Sequence, residues 1–285
     1  MKILGVVVLY YPDEAVATNA KSYIDLIDGL VVWDNTPVPN VSFDFGYPNK
    51  VVYKGEGENK GIGYALNQAI AYARTEGYTH LLTMDQDSYF EREVFDKYLE
   101  RIKEFGEDKR VIFSTNYYLT SQKKTYYPTS SNAEEVSSCM TSGSIYPLAL
   151  FNEIGDFNEE LFVWGVDCEF SWRAKRQGIA TICFKNILLT HNLGYQRKRR
   201  KLLGKEVFPN EYSPTRSYYN VRNGILLQKE YPECINLGSH LKYHLYKRIV
   251  FILLYEQEKF SKLKALYCGY RHGKKGKYGM CTQSF

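Results

Sequence analysis

The stretch "LLTMDQDSYF" at 81–90 carries an apolar run into two aspartates, Asp85 and Asp87, one residue apart. An unpaired carboxylate is too costly to leave buried, so the pair must either hold something or turn outward. Two carboxylates at this spacing on an extended segment leaving a strand can both reach one hard cation through oxygen ligands. Mg2+ or Mn2+ seated there would bridge them to a diphosphate. The competing reading is an Asx-turn, with Asp87 or Ser88 as the N-cap of a helix opening at Phe90. The motif alone leaves both open.

Further polar groups stop other apolar runs. "VVWDNTP" (31–37) releases Asp34 and Asn35, a carboxylate and an amide able to meet ribose hydroxyls or a base edge. "ENKGIG" (58–63) places glycines ahead of a helix, where backbone can approach a ligand closely. Each also reads as ordinary turn chemistry. Asp167 and Glu169 in "WGVDCEF" are acids that either favour a helix N-terminus or take a proton from an attacking hydroxyl. His191 in "LLTHNLG" follows another apolar run and is either structural or a metal or phosphate contact.

Short apolar runs alternating with helical patterns predict βα units and a mostly parallel sheet flanked by helices, an α/β fold. Strands are expected at Leu4–Tyr10, Leu30–Trp33, Val51–Tyr53, His80–Met84 and Val111–Thr115. Ile62, Ala65, Leu66, Ala69, Ile70 and Ala73 recur at helical spacing, and Gly77 supplies a stop. Thr120–Glu135 is polar and reads as an exposed excursion. "FVWGVDCEFSWRAKRQG" reads as a loop entering a helix that ends at Gly178, and "ATICF" (180–184) returns to strand. Beyond about residue 200 the pattern turns to helices rich in tyrosine and basic residues. The expected organisation is therefore an α/β domain over 1–200 and a helical, basic, tyrosine-rich region over 201–285. In an open α/β sheet, ligands bind outside the carboxyl ends of the strands, where the polar groups fall.

The composition (44% hydrophobic, 24% charged, 15% aromatic) is that of a globular chain. Six cysteines without CxxC pairing argue against a zinc or redox site and for free thiols in a reducing cytosol. The start "MKILGVVVLYYPDEAVATNA" imitates a signal peptide, but Asp13 and Glu14 fall where a cleavage region should be neutral, so a first strand is expected. The net charge of +5 is concentrated in "YQRKRRKLLGK" (195–205) and "YRHGKKGKYG" (270–279). No base-stacking signature accompanies it, so nucleic acid is not the expected partner. Lys242, Lys247 and Arg248 beside Ile249–Tyr255 fit a helix lying on an anionic leaflet.

Taken in order, "VVLYYPD", "VVWDNT", "ENKGIGYALNQAIAYA", "LLTMDQDS", "TSGSIYPLALFNEIGDFNEELFVWGVDCEFSWRAKRQG" and "THNLG" resemble the family 2 glycosyltransferases of GT-A fold, and more closely their bacterial rhamnosyltransferase-type branch. "SPTRSYYNVRNGILL" resembles the same branch. The resemblance implies an inverting, metal-dependent transfer of a sugar, rhamnose among the candidates, from a nucleoside-diphosphate sugar. The acceptor would be a hydroxyl of a glycan or lipid-linked glycan in surface polysaccharide synthesis, at the cytoplasmic face of the membrane.

By that resemblance Tyr10, Asp34, Asn35, Asn59, Gly61 and Asp85 would meet the donor nucleotide. Asp87, with Asp85 and His191, would hold Mg2+ or Mn2+. Ser142, Gly143 and Trp164 would flank donor sugar or acceptor. Asp167 would be the general base, Glu169 would support it or bind acceptor, and Lys or Arg from "QRKRRK" would assist the leaving group. Tyr11 departs from the pattern, standing where an asparagine is common. The alternatives are a haloacid-dehalogenase-like phosphatase, whose Asp-x-Asp usually ends the first strand rather than about the fourth, and a non-catalytic nucleotide-sugar-binding module.

Overall fold

The computed structural model describes residues 1–38, 43–107, 109–130, 132–192, 199–202 and 204–285, apart from the side chains at 92 and 121. It divides into two compact units, one of Met1–Phe157 with Phe170–Leu193 and one of Asn158–Glu169 with Gly194–Phe285. The second unit includes Asn158–Glu169, which a division at residue 200 assigns to the first.

The first unit is built on one sheet. Its strands are β1 (Ile3–Leu9), β2 (Gly29–Asp34), β3 (Val51–Gly55), β4 (His80–Asp85), β5 (Ser88–Tyr89), β6 (Val111–Leu119), β7 (Lys124–Thr125), β8 (Ala133–Val136), β9 (Ser144–Pro147) and β10 (Ala180–His191). The order across the sheet is β3-β2-β1-β4-β9-β6-β10-β5, with β7 on β6 and β8 on β10. β1, β2, β3 and β4 run parallel, as do β6 and β10, while β9 inserts antiparallel between β4 and β6. β1 and β2 are buried nearly throughout, which is why they read as continuous Val- and Leu-rich runs rather than alternating ones.

All five expected strands are present, and the expected helix is α2 (Ile62–Thr75); of its six apolar residues at helical spacing, all but half-buried Ile62 are buried. α1 (Ala15–Lys21), α3 (Arg92–Phe105), α4 (Leu148–Ile154) and α5 (Val166–Arg176) complete this part of the chain. Thr120–Glu135 differs from expectation, since it contributes β7 and most of β8 to the sheet. Its strands are short and half-exposed, and the Lys185–Glu134 ion pair ties β8 to β10. Edge strands of this kind carry no buried face for hydrophobic patterning to reveal.

An aromatic cluster lies directly behind the acid motif. Phe90 packs on Phe95 at 4.9 Å and on Tyr98 at 6.1 Å between ring centroids, and Phe184 and Phe113 extend the stack. Fully burying one such ring contributes about 1.5–3 kcal/mol. The chain leaving Asp87 is therefore anchored three residues on, at Phe90.

The second unit carries the hairpin β11 (Arg200–Leu202) and β12 (Lys205–Val207), then α6 (Pro214–Glu230), α7 (Leu237–Leu241), a π-helical turn at Lys242–Tyr246, α8 (Lys247–Tyr255) and α9 (Lys259–Lys274). Helices were expected here, whereas the hairpin was not. Ser213 starts α6, its hydroxyl accepting from the Arg216 N–H at 3.2 Å, with Pro214 at the first helical position. Val221, Ile225, Leu241, Leu245, Ile252 and Leu266 form this unit's own core. Part of the basic run "QRKRRK" lies outside the described residues; of the rest, Arg199 pairs with Glu206.

Candidate active site

β4 is buried up to Met84 and turns polar at Asp85, where the strand leaves the sheet. In register, Asp85 lies beside Val8 of β1, and Asp34 lies beside Leu9 on β1's other flank. The two strand-end acids are thus two strand spacings apart, about 10 Å. The backbone N–H of Asp85 donates to the hydroxyl of fully buried Ser142 at 3.0 Å. Gln86, between the acids, clasps Tyr10 twice: its Oε1 accepts from the Tyr10 N–H at 2.8 Å and its Nε2 donates to the Tyr10 carbonyl at 3.3 Å. The Gln86 carbonyl in turn accepts from Asn19 Nδ2 at 2.8 Å.

His191 reaches this place by strand pairing. The last residues of β10 lie antiparallel to β5, with His191 opposite Ser88, and the Asn192 N–H donates to the Asp87 carbonyl at 3.0 Å. His191 Nδ1 is 2.7 Å from the Ser88 hydroxyl and 3.4 Å from Asp87 Oδ1. Asp85, Asp87 and His191 each offer a ligand atom within 4.8 Å of the others. Ligand bonds of about 2.0–2.6 Å to Mg2+ or Ca2+ would let one ion touch all three, and two carboxylates with an imidazole are a donor set that divalent cations accept. The helix-cap alternative fails: Ser88–Tyr89 joins the sheet, α3 starts only at Arg92, and Glu91 stands at its N-cap.

The other strand ends are tied to one another. Asp34 is 3% exposed; its Oδ1 accepts from the Thr36 N–H at 2.8 Å and its Oδ2 from the Tyr53 hydroxyl at 3.1 Å. Burial, and then the charge of Asp34, push the Tyr53 phenol up to about 12, so it remains a donor. Asn35 accepts from the Trp33 indole at 3.2 Å and donates through Nδ2 to the Gly61 carbonyl at 3.1 Å. Asn59 Oδ1 accepts from the Gly61 N–H at 2.9 Å. Gly61, at φ 90°, occupies backbone space open to glycine, and it leads into α2 with no side-chain cap. The structure therefore brings Asn35, Asn59 and Gly61 into one hydrogen-bonded group, ties the neighbouring Asp34 to Thr36 and Tyr53, and joins Tyr10 to the Asp85–Asp87 segment through Gln86.

Ser142 and Gly143 are buried. Gly143 has φ +77°, and a Cβ there would meet Thr115 Oγ1 at 2.9 Å and Leu189 Cδ2 at 3.0 Å. Its N–H donates to the Thr83 carbonyl at 2.8 Å, so "TSGS" acts as a brace under the end of β4. Tyr11, at φ 46°, is 60% exposed, and its N–H donates to the Thr36 hydroxyl at 3.0 Å.

Trp164, Asp167 and Glu169 belong to the second unit. Both acids lie in the first turn of α5, where the helix dipole favours negative charge. Asp167 is half-buried, and its Oδ1 accepts from the Cys168 N–H at 2.8 Å. Glu169 is 2% exposed and accepts from the Tyr231 hydroxyl at 2.8 Å. The loop before them is strained, since Phe162 and Trp164 have φ of 64° and 66°, unusual for bulky side chains. Asn223, fully buried, holds that loop: its Nδ2 lies 2.8 Å from each of the Leu161, Val163 and Trp164 carbonyls. Arg222 beside it is also fully buried. It donates to the Asn223 side chain at 2.7 Å, to Glu160 and Leu161 carbonyls at 2.9 and 3.1 Å, and to the Gly279 carbonyl.

Sequence reasoning missed the residues that hold these acids. Gln86, inside the motif, shows no chemistry of its own by type, and Ser88 beside it reads in the sequence only as a helix-cap candidate. Arg222 and Asn223 fall in "SPTRSYYNVRNGILL", a stretch noted for resemblance without a role. Tyr231 carries no signal, one tyrosine among 26.

Residues 32–175, half of the chain, match the family described as Glycosyl transferase family 2. The dTDP-rhamnosyl transferase RfbF of Shigella flexneri is 26% identical over 190 residues, 61% of this chain and 62% of that protein, so the match spans less than two thirds of that relative. Among solved structures, Staphylococcus aureus TarS 1-349 in complex with UDP-GlcNAc superposes with a TM-score of 0.55 at 18% identity, covering 96% of this chain and 81% of that one. The structure of GalNAc-T7 with UDP, GalNAc and Mn2+ gives 0.52 at 12% identity, covering 88% and 57%. These likenesses show the fold, which is GT-A with a helical C-terminal region. By its matched residues, the chain belongs to glycosyl transferase family 2.

Proposed function

We propose that the protein is an inverting glycosyltransferase that moves a sugar from a nucleoside-diphosphate donor to a hydroxyl of a glycan or lipid-linked glycan. The observation that carries this is the convergence of Asp85, Asp87 and His191 at the strand ends of a family 2 chain. RfbF supports dTDP-rhamnose as the donor. Residues 1–200 form the catalytic domain in this reading and 201–285 its helical extension, working at the cytoplasmic face of a membrane.

Asp87, with Asp85 and His191, holds Mg2+ or Mn2+. A cation there supplies positive charge where the leaving diphosphate gains negative charge. Asp34, Asn35, Asn59 and Gly61 shape the nucleotide side, with Tyr10 fixed by Gln86. Asp167 takes the proton of the acceptor hydroxyl as that oxygen bonds to the anomeric carbon. The bond from that carbon to the diphosphate oxygen breaks, and the nucleoside diphosphate departs. Glu169 stands behind Asp167 as a second acid, and Trp164 offers an aromatic face to a sugar.

The test is a thermal-shift screen of dTDP-rhamnose, UDP-hexoses and UDP-galactofuranose with Mn2+, followed by transfer assays on the donor that binds. One donor is expected to raise the unfolding midpoint in the presence of metal, and its transfer should stop in EDTA. No stabilisation by any donor, or transfer unaffected by EDTA, would sink the reading.

A further inference from the structure

The exposed side of the helical edge Lys242–Tyr255 is nearly as apolar as its buried side. Leu241, Leu245, Phe251 and Ile252 point into the second unit's core. On the other face, Tyr243, Tyr246, Val250, Leu253 and Leu254 recur at intervals of three, four and one, and are 57, 61, 42, 49 and 54% exposed. Phe260, at the start of α9, is 81% exposed. A solvated helix face carries polar residues at such positions, and a run of this length marks a surface that meets something. The stripe is about 20 Å long.

Charge identifies the occupant. Residues 237–285 contain ten Lys and Arg against two acids, Glu256 and Glu258. Glu256 is 3% exposed, closed between Arg248 and Lys262, which leaves Glu258 as this stretch's one exposed acid. The same triad corrects the expected lipid-facing set: Arg248 is 3% exposed and bound to Glu256, so it is not part of the surface. Lys242, Lys247, Lys259 and Lys264 remain exposed beside the stripe. An apolar centre with a basic margin fits an anionic lipid leaflet, where tyrosine sits at headgroup depth and lysine reaches the phosphates. A second copy fits poorly, because a self-complementary contact would bring two basic margins together. No helix among the described residues is long and apolar enough to cross a membrane.

We infer that this protein docks on an anionic membrane through the face of Tyr243, Tyr246, Val250, Leu253, Leu254 and Phe260, lying on the leaflet with its lysines at the phosphates. This surface deepens the membrane placement of the proposed function, and because its test uses no sugar donor, its failure would leave the sugar-transfer reading standing.

The full chain is floated with vesicles of phosphatidylcholine alone or with phosphatidylglycerol added. It should float with the anionic vesicles only, and less as salt is raised. The variant Leu253→Ser/Leu254→Ser/Phe260→Ser should lose flotation by about tenfold or more. Lys242→Glu/Lys247→Glu/Lys259→Glu, which leaves every apolar side chain in place, should lose it as well, so the inference remains testable if the serine variant fails to fold. Absence of flotation, or equal flotation on neutral vesicles, would overturn the inference. So would a wild-type dimer in light scattering that the serine variant converts to an unfloated monomer.

Discussion

The two acid pairs are held in different ways. Asp85 and Asp87 are fixed mainly by main-chain geometry: the register of β4 on β1, the two-residue bridge of β5 to β10, and bonds from Gln86 and Ser142. Asp167 and Glu169 follow a strained loop held by Asn223 and Arg222, and Glu169 accepts from Tyr231, all about sixty residues later in the chain. In the proposed function the first pair holds a cation, a task that tolerates little displacement of its atoms, and strand pairing provides that precision. The start of α5, to which the same proposal gives the acceptor, is instead set by a buried polar clamp, which removal of one side chain can loosen.

The comparison can be broken most severely at the first pair. Asp87→Ala is expected to lower transfer by about a thousandfold, on the order of 4 kcal/mol in the barrier, and to abolish the metal-dependent part of donor stabilisation. Asp167→Asn should lower turnover about a hundredfold or more while leaving that stabilisation intact. If both variants lose donor binding equally, the division of labour between the pairs is wrong.

Asn223→Ala tests the clamp. It leaves buried carbonyls without their donor, at about 1–3 kcal/mol, so the unfolding midpoint should fall while metal-dependent donor stabilisation persists. Transfer should drop about tenfold or more, as Asp167 loses its fixed place. Tyr231→Phe removes a single bond to Glu169 and should cost about 1.5 kcal/mol, read by chemical denaturation. A loss in Asn223→Ala no larger than in Tyr231→Phe would show that the strained loop holds itself.

The smallest effect is on pH dependence. Burial, and then the charges of His240 and Arg248, push the His244 imidazole down to about 4. His244 lies 4.4 Å from His240 and 5.8 Å from Trp164 between ring centroids. The unfolded chain binds this proton near pH 6.5 and the folded one does not until about pH 4, so its stability contribution is complete above 6.5 and is lost as pH falls toward 4. His244→Gln should therefore reduce the fall in unfolding midpoint between pH 7 and pH 5, by about 2–4 °C. An unchanged fall would place the acid sensitivity elsewhere.

The sequence revealed more about the first region than the second for the same reason. Apolar runs marked β1 to β4, and a polar group ending such a run is visible without knowledge of any partner. His191 could be noticed at a strand end, but its pairing with Ser88 could not. The edge strands β7 and β8 escaped because no face of theirs is strongly apolar. In the second region the acids were legible as residue types, whereas Asn223 and Tyr231 act through contacts across about sixty residues, which no local spacing records. Arg248 misled for a related reason: its charge suggested solvent, while Glu256 eight residues on lets it stay buried.

The two-residue bridge between β5 and β10 also bears on how the protein folds. It joins Ser88 to His191, 103 residues apart, and everything from β6 to β10 lies within that span. Closing so long a loop is entropically slow and comes after local helices and neighbouring strands have formed. The three ligand atoms therefore meet only once the sheet is essentially complete. A refolding experiment followed by cation binding would time the last closure of the chain, and appearance of the binding signal together with early secondary structure would contradict that order.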